Sequence, residues 1–180
     1  MRTIIVVLFL LLYTIVSLPM YLIGFILGKM DPKKKVRMSQ RFVAGGFRCI
    51  LFLSGVKVTV KGKENQIHDK AALYVFNHRS FFDIVVGYAT APIPSAFVSK
   101  KEIAKVPMIS WWMKYLNCLF LDRDDIRQGM KVILTGIELM KEGTNIFIAP
   151  EGTRNSSDEL LPFHEASFKL AERSEERRVG

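Results

Sequence analysis

Apolar and polar positions are unevenly distributed along this chain. Ile4 to Leu27 contains no charged residue, and as one helix it would reach roughly 36 Å, enough to cross a hydrocarbon core of about 30 Å. Pro19 and Gly24 interrupt it, so the segment is expected either as one kinked span or as a helical hairpin dipping into a single leaflet. Arg41 to Ser54 (RFVAGGFRCILFLS) is apolar with spaced arginines and predicts a helix resting on the membrane or on a sheet. Beyond it the period shortens. Val56, Val58 and Val60 alternate with Lys57, Thr59 and Lys61, the pattern of a half-buried strand.

Short apolar runs then recur between turn residues: Ala71–Phe76, Ser95–Ser99, Cys118–Leu121 and Asn145–Ala149. Each predicts a buried strand. Between them lie helical patterns. Phe82–Tyr88 looks like the start of a helix, and Ile126, Met130, Ile133, Leu134 and Ile137 recur at helical spacing, expected to pack on the sheet, with Gly143 as the stop. Strands alternating with helices predict an α/β fold, a largely parallel mixed sheet flanked by helices, behind an N-terminal hydrophobic membrane anchor. Pro162–Ala171 reads as a loop entering an amphipathic helix. The boundaries follow: 1–28 anchor, 29–55 basic juxtamembrane and interfacial helix, 56–171 the α/β domain, 172–180 a disordered or foreign tail.

Charge adds a partner class. The 180 residues carry a net charge of +9 at pH 7, which suits nucleic acid, anionic lipid or a phosphorylated substrate. The anchor and the lack of a nucleic-acid reader motif disfavour the first. Lys29, Lys33, Lys34, Lys35 and Arg37 follow the apolar segment while Arg2 alone precedes it. The positive-inside rule therefore puts the remainder on the cytoplasmic face of the cell membrane. A cleaved signal peptide fits poorly, since the apolar region is too long and no small-x-small site follows. Two cysteines, Cys49 and Cys118, give neither a disulfide framework nor a metal spacing, and three scattered histidines make zinc an unfavoured expectation.

Candidate chemistry begins at Asn77-His78-Arg79-Ser80-Phe81-Phe82-Asp83, where the first of the four buried strands ends. Five residues on a regular helix put side chains about 140° apart. His78 and Asp83 therefore meet only if His78 lies in the loop and Asp83 in the first helical turn, with Ser80 as N-cap. Two readings stand. Asp83 is a cap partner and His78 a loop histidine, or Asp83 orients the imidazole and His78 takes a proton from a hydroxyl. No local Ser or Cys offers itself as a nucleophile, which favours direct transfer. A second polar motif, Pro150-Glu151-Gly152-Thr153-Arg154, follows the last strand; both fall at strand carboxyl ends, where functional residues of such sheets gather.

Four pieces occur in order: His78-x4-Asp83 within NHRSFFD, Lys100-Lys101-Glu102-Ile103 with Pro107, FLDR ending at Arg123, and PEGTR from Pro150 to Arg154. Together, over about Val56 to Ala171, they resemble the glycerolipid acyltransferase family. The resemblance implies transfer of a fatty acyl chain from acyl carrier protein or coenzyme A to the free sn-2 hydroxyl of lysophosphatidic acid, making phosphatidic acid, with no cofactor beyond that donor. By the same match His78 is the general base and Asp83 its partner. Lys100, Glu151, Gly152, Thr153 and Arg154 belong to the acceptor's phosphate site, with Arg123 a further candidate. Ser110 and Asn117 stand where the family usually has glycine, and His164-Glu165-Ala166 replaces a more basic, glycine-containing stretch. The family's proline-rich fourth motif, expected just beyond Ala171, is absent, so the domain is expected to be C-terminally incomplete. Competing expectations are another lysophospholipid or glycerol 3-phosphate as acceptor, and a truncated, inactive lipid-binding protein.

Overall fold

The computed structural model describes residues 1–67, 69–157, 159–170 and 172. The tail expected over 172–180 thus lies, apart from Glu172, outside the described residues. The chain divides into two compact units, Met1–Gln66 with Phe81–Ala91, and Ile67–Ser80 with the chain from Pro92 onward.

The first unit is helical. Helix α1 runs unbroken over Arg2–Met30 and α2 over Pro32–Ser54. Neither Pro19 nor Gly24 breaks α1; the turn comes at Asp31. Its carboxylate accepts the Lys34 N–H at 2.9 Å and caps α2, with Pro32 at the first helical position, where a missing N–H costs nothing. That backbone donor holds the Asp31 carboxyl below its ordinary range.

The two helices form an antiparallel hairpin. Near the turn a Cβ on Gly28 would sit 2.9 Å from Lys35 Cδ. Midway, the Tyr13 ring stacks on Phe42 at 4.7 Å and its hydroxyl donates to the Phe42 carbonyl at 2.9 Å. A side chain at Gly46 would collide with that ring, and one at Gly55 with the Arg2 guanidinium. Gly55, at φ 76°, closes α2, and the Val56 N–H reaches back to the Leu51 carbonyl at 3.0 Å. The chain therefore returns beside its own N-terminus.

The two helices differ in surface. Only Ser17 and Gly24 of α1 are buried, while Ile4, Leu8, Leu11, Leu12 and Ile15 are exposed; the helix is long and apolar enough to cross a membrane. Helix α2 buries Val36, Gln40, Val43, Ala44 and Leu51 and exposes Lys33, Lys34, Arg37, Arg41 and Arg48. Helix α3, Phe82–Thr90, completes this unit; Arg48 Nε donates to the Ala89 carbonyl at 3.0 Å, and Phe47 lies against Tyr88. Phe81, not the expected Ser80, occupies the N-cap position of α3.

The second unit holds the sheet: β1 Leu73–Val75, β2 Ser95–Lys100, β3 Leu119–Leu121 and β4 Asn145–Ile148, in the order β1-β4-β2-β3. All three pairings are parallel. The alternation at Val56, Val58 and Val60 makes no strand; those valines are exposed in an irregular segment. Period-2 spacing supplies one suitable face but not a neighbouring strand. Asn145 ties three segments together: its side-chain oxygen accepts the Ala72 N–H at 3.0 Å and its side-chain nitrogen donates to the Pro94 carbonyl at 3.0 Å.

Helix α4 covers Ile109–Tyr115, and α5, Ile126–Lys141, packs on one face of the sheet. The core there joins Ala96, Leu119, Ile137, Met140, Ile146, Ile148 and Leu170, each large aliphatic contributing about 1.5–3 kcal/mol. The packing face of α5 is rotated from the expected stripe. Ile126 and Leu134 are exposed, whereas Val132, Ile133, Gly136 and Met140 face inward. Gly136 is the cause: a Cβ there would sit 2.6 Å from Leu170 Cδ2 and 3.1 Å from Leu119 Cδ1, so its absence lets both leucines close on the helix. On the sheet's other face Tyr74, Phe147 and Phe97 stack at 4.5 and 4.6 Å. Within Pro162–Ala171, where an amphipathic helix is expected, a 3-10 turn covers Glu165–Ser167 and helical residues follow at Lys169 and Leu170.

Candidate active site

Parallel strands put their carboxyl ends on one edge, and the polar motifs of the second unit follow from it. Strand β1 pairs Val75 with Ile148 of β4, and the Phe76 N–H extends the ladder to the Ile148 carbonyl at 3.1 Å. Two residues later His78 sits in the loop, half-buried, its ring edge-on to Phe76 at 5.9 Å. From the other loop the Asn155 N–H donates to the His78 carbonyl at 2.8 Å. That bond joins the start of the NHRSFFD motif to the residue just after PEGTR.

The PEGTR loop is built around a buried carboxylate. Glu151 is 4% exposed, and one of its oxygens accepts from Asn155 Nδ2 at 2.9 Å and from the Leu161 N–H at 3.1 Å. Two donors on one carboxylate satisfy a charge that would otherwise be costly to bury. Gly152 follows at φ 70°, its N–H bonded to the Ala149 carbonyl at 3.0 Å. This left-handed turn disfavours a side chain, and space forbids one: a Cβ would lie 2.8 Å from the His164 ring and 3.6 Å from Arg123 Cζ. Thr153 and Arg154 are exposed beyond the turn.

Lys100 is not on a loop but is the last residue of β2, exposed, paired with Leu121 of β3. Its side chain makes no hydrogen bond or ion pair with a described residue. Arg123 lies just past β3 on a braced loop. Gln128 Nε2 donates to the Phe120 carbonyl at 2.7 Å, and its Oε1 accepts the Asp122 N–H at 2.8 Å. Asp122 accepts Lys101 Nζ at 2.7 Å and the Asp124 N–H at 3.1 Å. The Lys101 hydrogen bond holds the Asp122 carboxyl below its ordinary range, and the same bond raises the Lys101 ammonium.

The structure thus gathers the His78 loop, Glu151, Gly152 and Arg123 at the carboxyl edge of the sheet. Asp83 stands in the first turn of α3, in the other unit. The residues that organise the loops, Asn155, Gln128 and the Leu161 backbone, carry no motif signal, because each acts by bracing backbone. Among the described residues no three His, Cys, Asp or Glu side chains converge on a metal-sized space.

A family model described as Acyltransferase matches residues 57–177. The chain is 33% identical over 144 residues to 1-acyl-sn-glycerol-3-phosphate acyltransferase LPAT1, chloroplastic, of Arabidopsis thaliana, covering 78% of this chain and 39% of that protein. It is 31% identical over 142 residues to the 1-acyl-sn-glycerol-3-phosphate acyltransferase of Saccharomyces cerevisiae, covering 77% and 46%. The chain therefore spans about two fifths to a half of the length of these curated relatives. The crystal structure of the 1-acyl-sn-glycerophosphate (LPA) acyltransferase PlsC from Thermotoga maritima superimposes with a TM-score of 0.70 at 27% identity, covering 97% of this chain and 72% of that one.

Proposed function

The chain belongs to the acyltransferase family, and from that premise we propose that it transfers a fatty acyl group from a thioester to the free sn-2 hydroxyl of lysophosphatidic acid, forming phosphatidic acid. The observation that carries this reading is the Asn155–His78 backbone bond, which fastens the glycine turn of PEGTR to the loop of a half-buried histidine. A base and a phosphate grip on adjacent loops suit an acceptor that carries both a hydroxyl and a phosphate. The relatives' names describe the same acceptor.

In the proposed reaction the His78 imidazole takes the hydroxyl proton as the oxygen attacks the thioester carbonyl. The tetrahedral intermediate then expels the thiolate, which recovers the proton from the imidazolium. Asp83, five residues after His78 and in the first turn of α3, is assigned to orient the ring and stabilise its charged form. Arg154, Arg123 and Lys100 are the cations assigned to the acceptor's phosphate, and Thr153 with the Gly152 turn shapes the loop that holds them. Acyl carrier protein or coenzyme A brings the acyl group, and no bound cofactor is needed.

The helical unit is assigned to the membrane. Because α2 carries five exposed cations and returns the chain beside Arg2, it cannot accompany α1 through hydrocarbon without paying about 2.5–3.5 kcal/mol for each charge near the centre. Helix α1 is therefore placed within one leaflet, with the α2 cations against anionic headgroups and the sheet on the cytoplasmic face.

The test is acyl transfer to lysophosphatidic acid by the purified, detergent-solubilised chain and by His78→Ala. General base catalysis supplies about 10²–10⁴-fold, and a loss in that range at unchanged acceptor affinity is expected. An acyl-enzyme adduct trapped by mass spectrometry would contradict direct transfer, and a wild-type chain inert with both donors would sink the reading.

A further inference from the structure

We infer that His164 is a second hydrogen-bond donor to the acceptor's phosphate, beside Arg123 at the Gly152 turn. The inference rests on the acyl-transfer reading only for the identity of the acceptor. The grip itself is read from the turn.

Three observations place the ring. The His164 N–H donates to the Pro150 carbonyl at 2.9 Å, and its own carbonyl accepts the Ser167 N–H at 2.9 Å. The backbone is thus pinned on both sides, and one of those bonds ends inside the PEGTR motif. The ring then lies edge-on to Gly152: a Cβ there would be 2.8 Å from Cδ2 and 2.9 Å from Nε2. The Arg123 guanidinium carbon is 3.6 Å from the same point. An imidazole and a guanidinium therefore flank one glycine from two different segments of chain.

Neither group is committed elsewhere. Neither the His164 ring nor the Arg123 guanidinium forms a hydrogen bond or an ion pair with any described residue, and both side chains are exposed. Arg123 nevertheless sits on a loop braced by Gln128 and by the Lys101–Asp122 pair. The two donors converge on the Gly152 turn from segments held by their backbones, within reach of one anion on the solvent side, and no carboxylate among the described residues pairs with either. A phosphate monoester offers guanidinium two oxygens in bidentate geometry and retains a third for an imidazole N–H. The family resemblance marks His164-Glu165-Ala166 only as a departure from a more basic stretch and gives His164 no role.

The experiment compares wild type with His164→Phe, which keeps a flat ring over Gly152 and loses both ring nitrogens, and with His164→Gln, which keeps a donor. Calorimetric binding of a short-chain lysophosphatidic acid and of the 1-monoacylglycerol of equal chain length is measured on the whole chain in detergent, alongside acyl transfer. The Phe variant is expected to bind lysophosphatidic acid about tenfold or more weakly, the loss typical of a hydrogen bond to a charged group, with monoacylglycerol unaffected. The Gln variant recovers part of the loss, and the effect on turnover appears in KM. Equal weakening toward both lipids, or no weakening in the Phe variant, would overturn the inference. His164-dependent binding without any acyl transfer would leave the grip standing and sink the proposed reaction instead.

Discussion

Asn155 donates twice, through its backbone to the His78 carbonyl at 2.8 Å and through its side chain to the Glu151 carboxylate at 2.9 Å. It couples the geometry of the proposed base to a buried charge within PEGTR. Glu151 was expected at the acceptor's phosphate, yet its paired oxygen is turned inward, to Asn155 and Leu161. A carboxylate also repels a phosphate. What its geometry does is fasten the PEGTR loop from within.

Glu151→Gln should therefore be much milder than Glu151→Ala. Gln retains an oxygen that accepts from Asn155 Nδ2 and the Leu161 N–H. Ala removes the acceptor from both: Asn155 Nδ2 keeps the Glu159 carbonyl, while the Leu161 N–H loses its partner, at about 1–3 kcal/mol. The expected result is a small shift in Tm for Gln and a large one for Ala. Acyl transfer should fall with loop order, as read by hydrogen exchange at Gly152 to Asn155. Equal loss of activity for both variants at unchanged Tm would mean that the negative charge itself serves the reaction.

The Lys101–Asp122 pair gives a pH signature. The folded-state pKa of Asp122 is depressed by Lys101, so its stabilising contribution is complete above the unfolded value, about 3.9, and disappears as pH falls through the folded value. Lys101 is raised by the same bond, so its contribution is present below its ordinary value, about 10.4, and is lost as pH rises through the folded one. Thermal unfolding of wild type and Asp122→Asn should thus differ by a constant amount between about pH 5 and 9 and converge below pH 4. A difference that grows on acidification would contradict the assignment.

The strands were legible because Leu73–Val75, Leu119–Leu121 and Asn145–Ile148 lie in short apolar runs bounded by turn residues, and burial on two faces requires such composition. That the polar motifs meet was legible for a related reason: motifs that follow strands of a parallel sheet share an edge. What sequence did not reveal depends on partners far away in the chain. Val56 to Val60 has the period of a strand but no neighbour. The α5 face is set by the space at Gly136, which only Leu119 and Leu170 define. Asn155 matters through a backbone N–H, a group every residue but proline possesses. His164 matters through its distance from a glycine.

Arg154→Lys should be costly although it preserves charge. Arginine offers a phosphate two parallel N–H groups, lysine a point charge. The side chain is exposed, so the substitution disturbs no core. The expected outcome is a rise in KM for lysophosphatidic acid of about tenfold, with a smaller effect on an acceptor lacking phosphate. An equal fractional loss on both acceptors would mean that Arg154 supports the fold and does not read the phosphate.

Gln128→Glu tests whether Arg123 depends on its brace. Gln128 donates to the Phe120 carbonyl and accepts from the Asp122 N–H, so one amide spans the end of β3 and the start of the Arg123 loop. Glu at this position is nearly isosteric and keeps the acceptor. It replaces the donor with a carboxylate oxygen aimed at the Phe120 carbonyl, where two acceptors repel at a cost of about 1–3 kcal/mol. The α5 cap is untouched, because the Gln128 backbone N–H still bonds the Asp125 carboxylate. Displacement should therefore concentrate in Asp122 to Asp124. The prediction is weaker binding of lysophosphatidic acid, non-additive with Arg123→Ala, since the brace acts only through that guanidinium. Full additivity of the two substitutions would show that Gln128 supports β3 alone and that Arg123 holds its place without it.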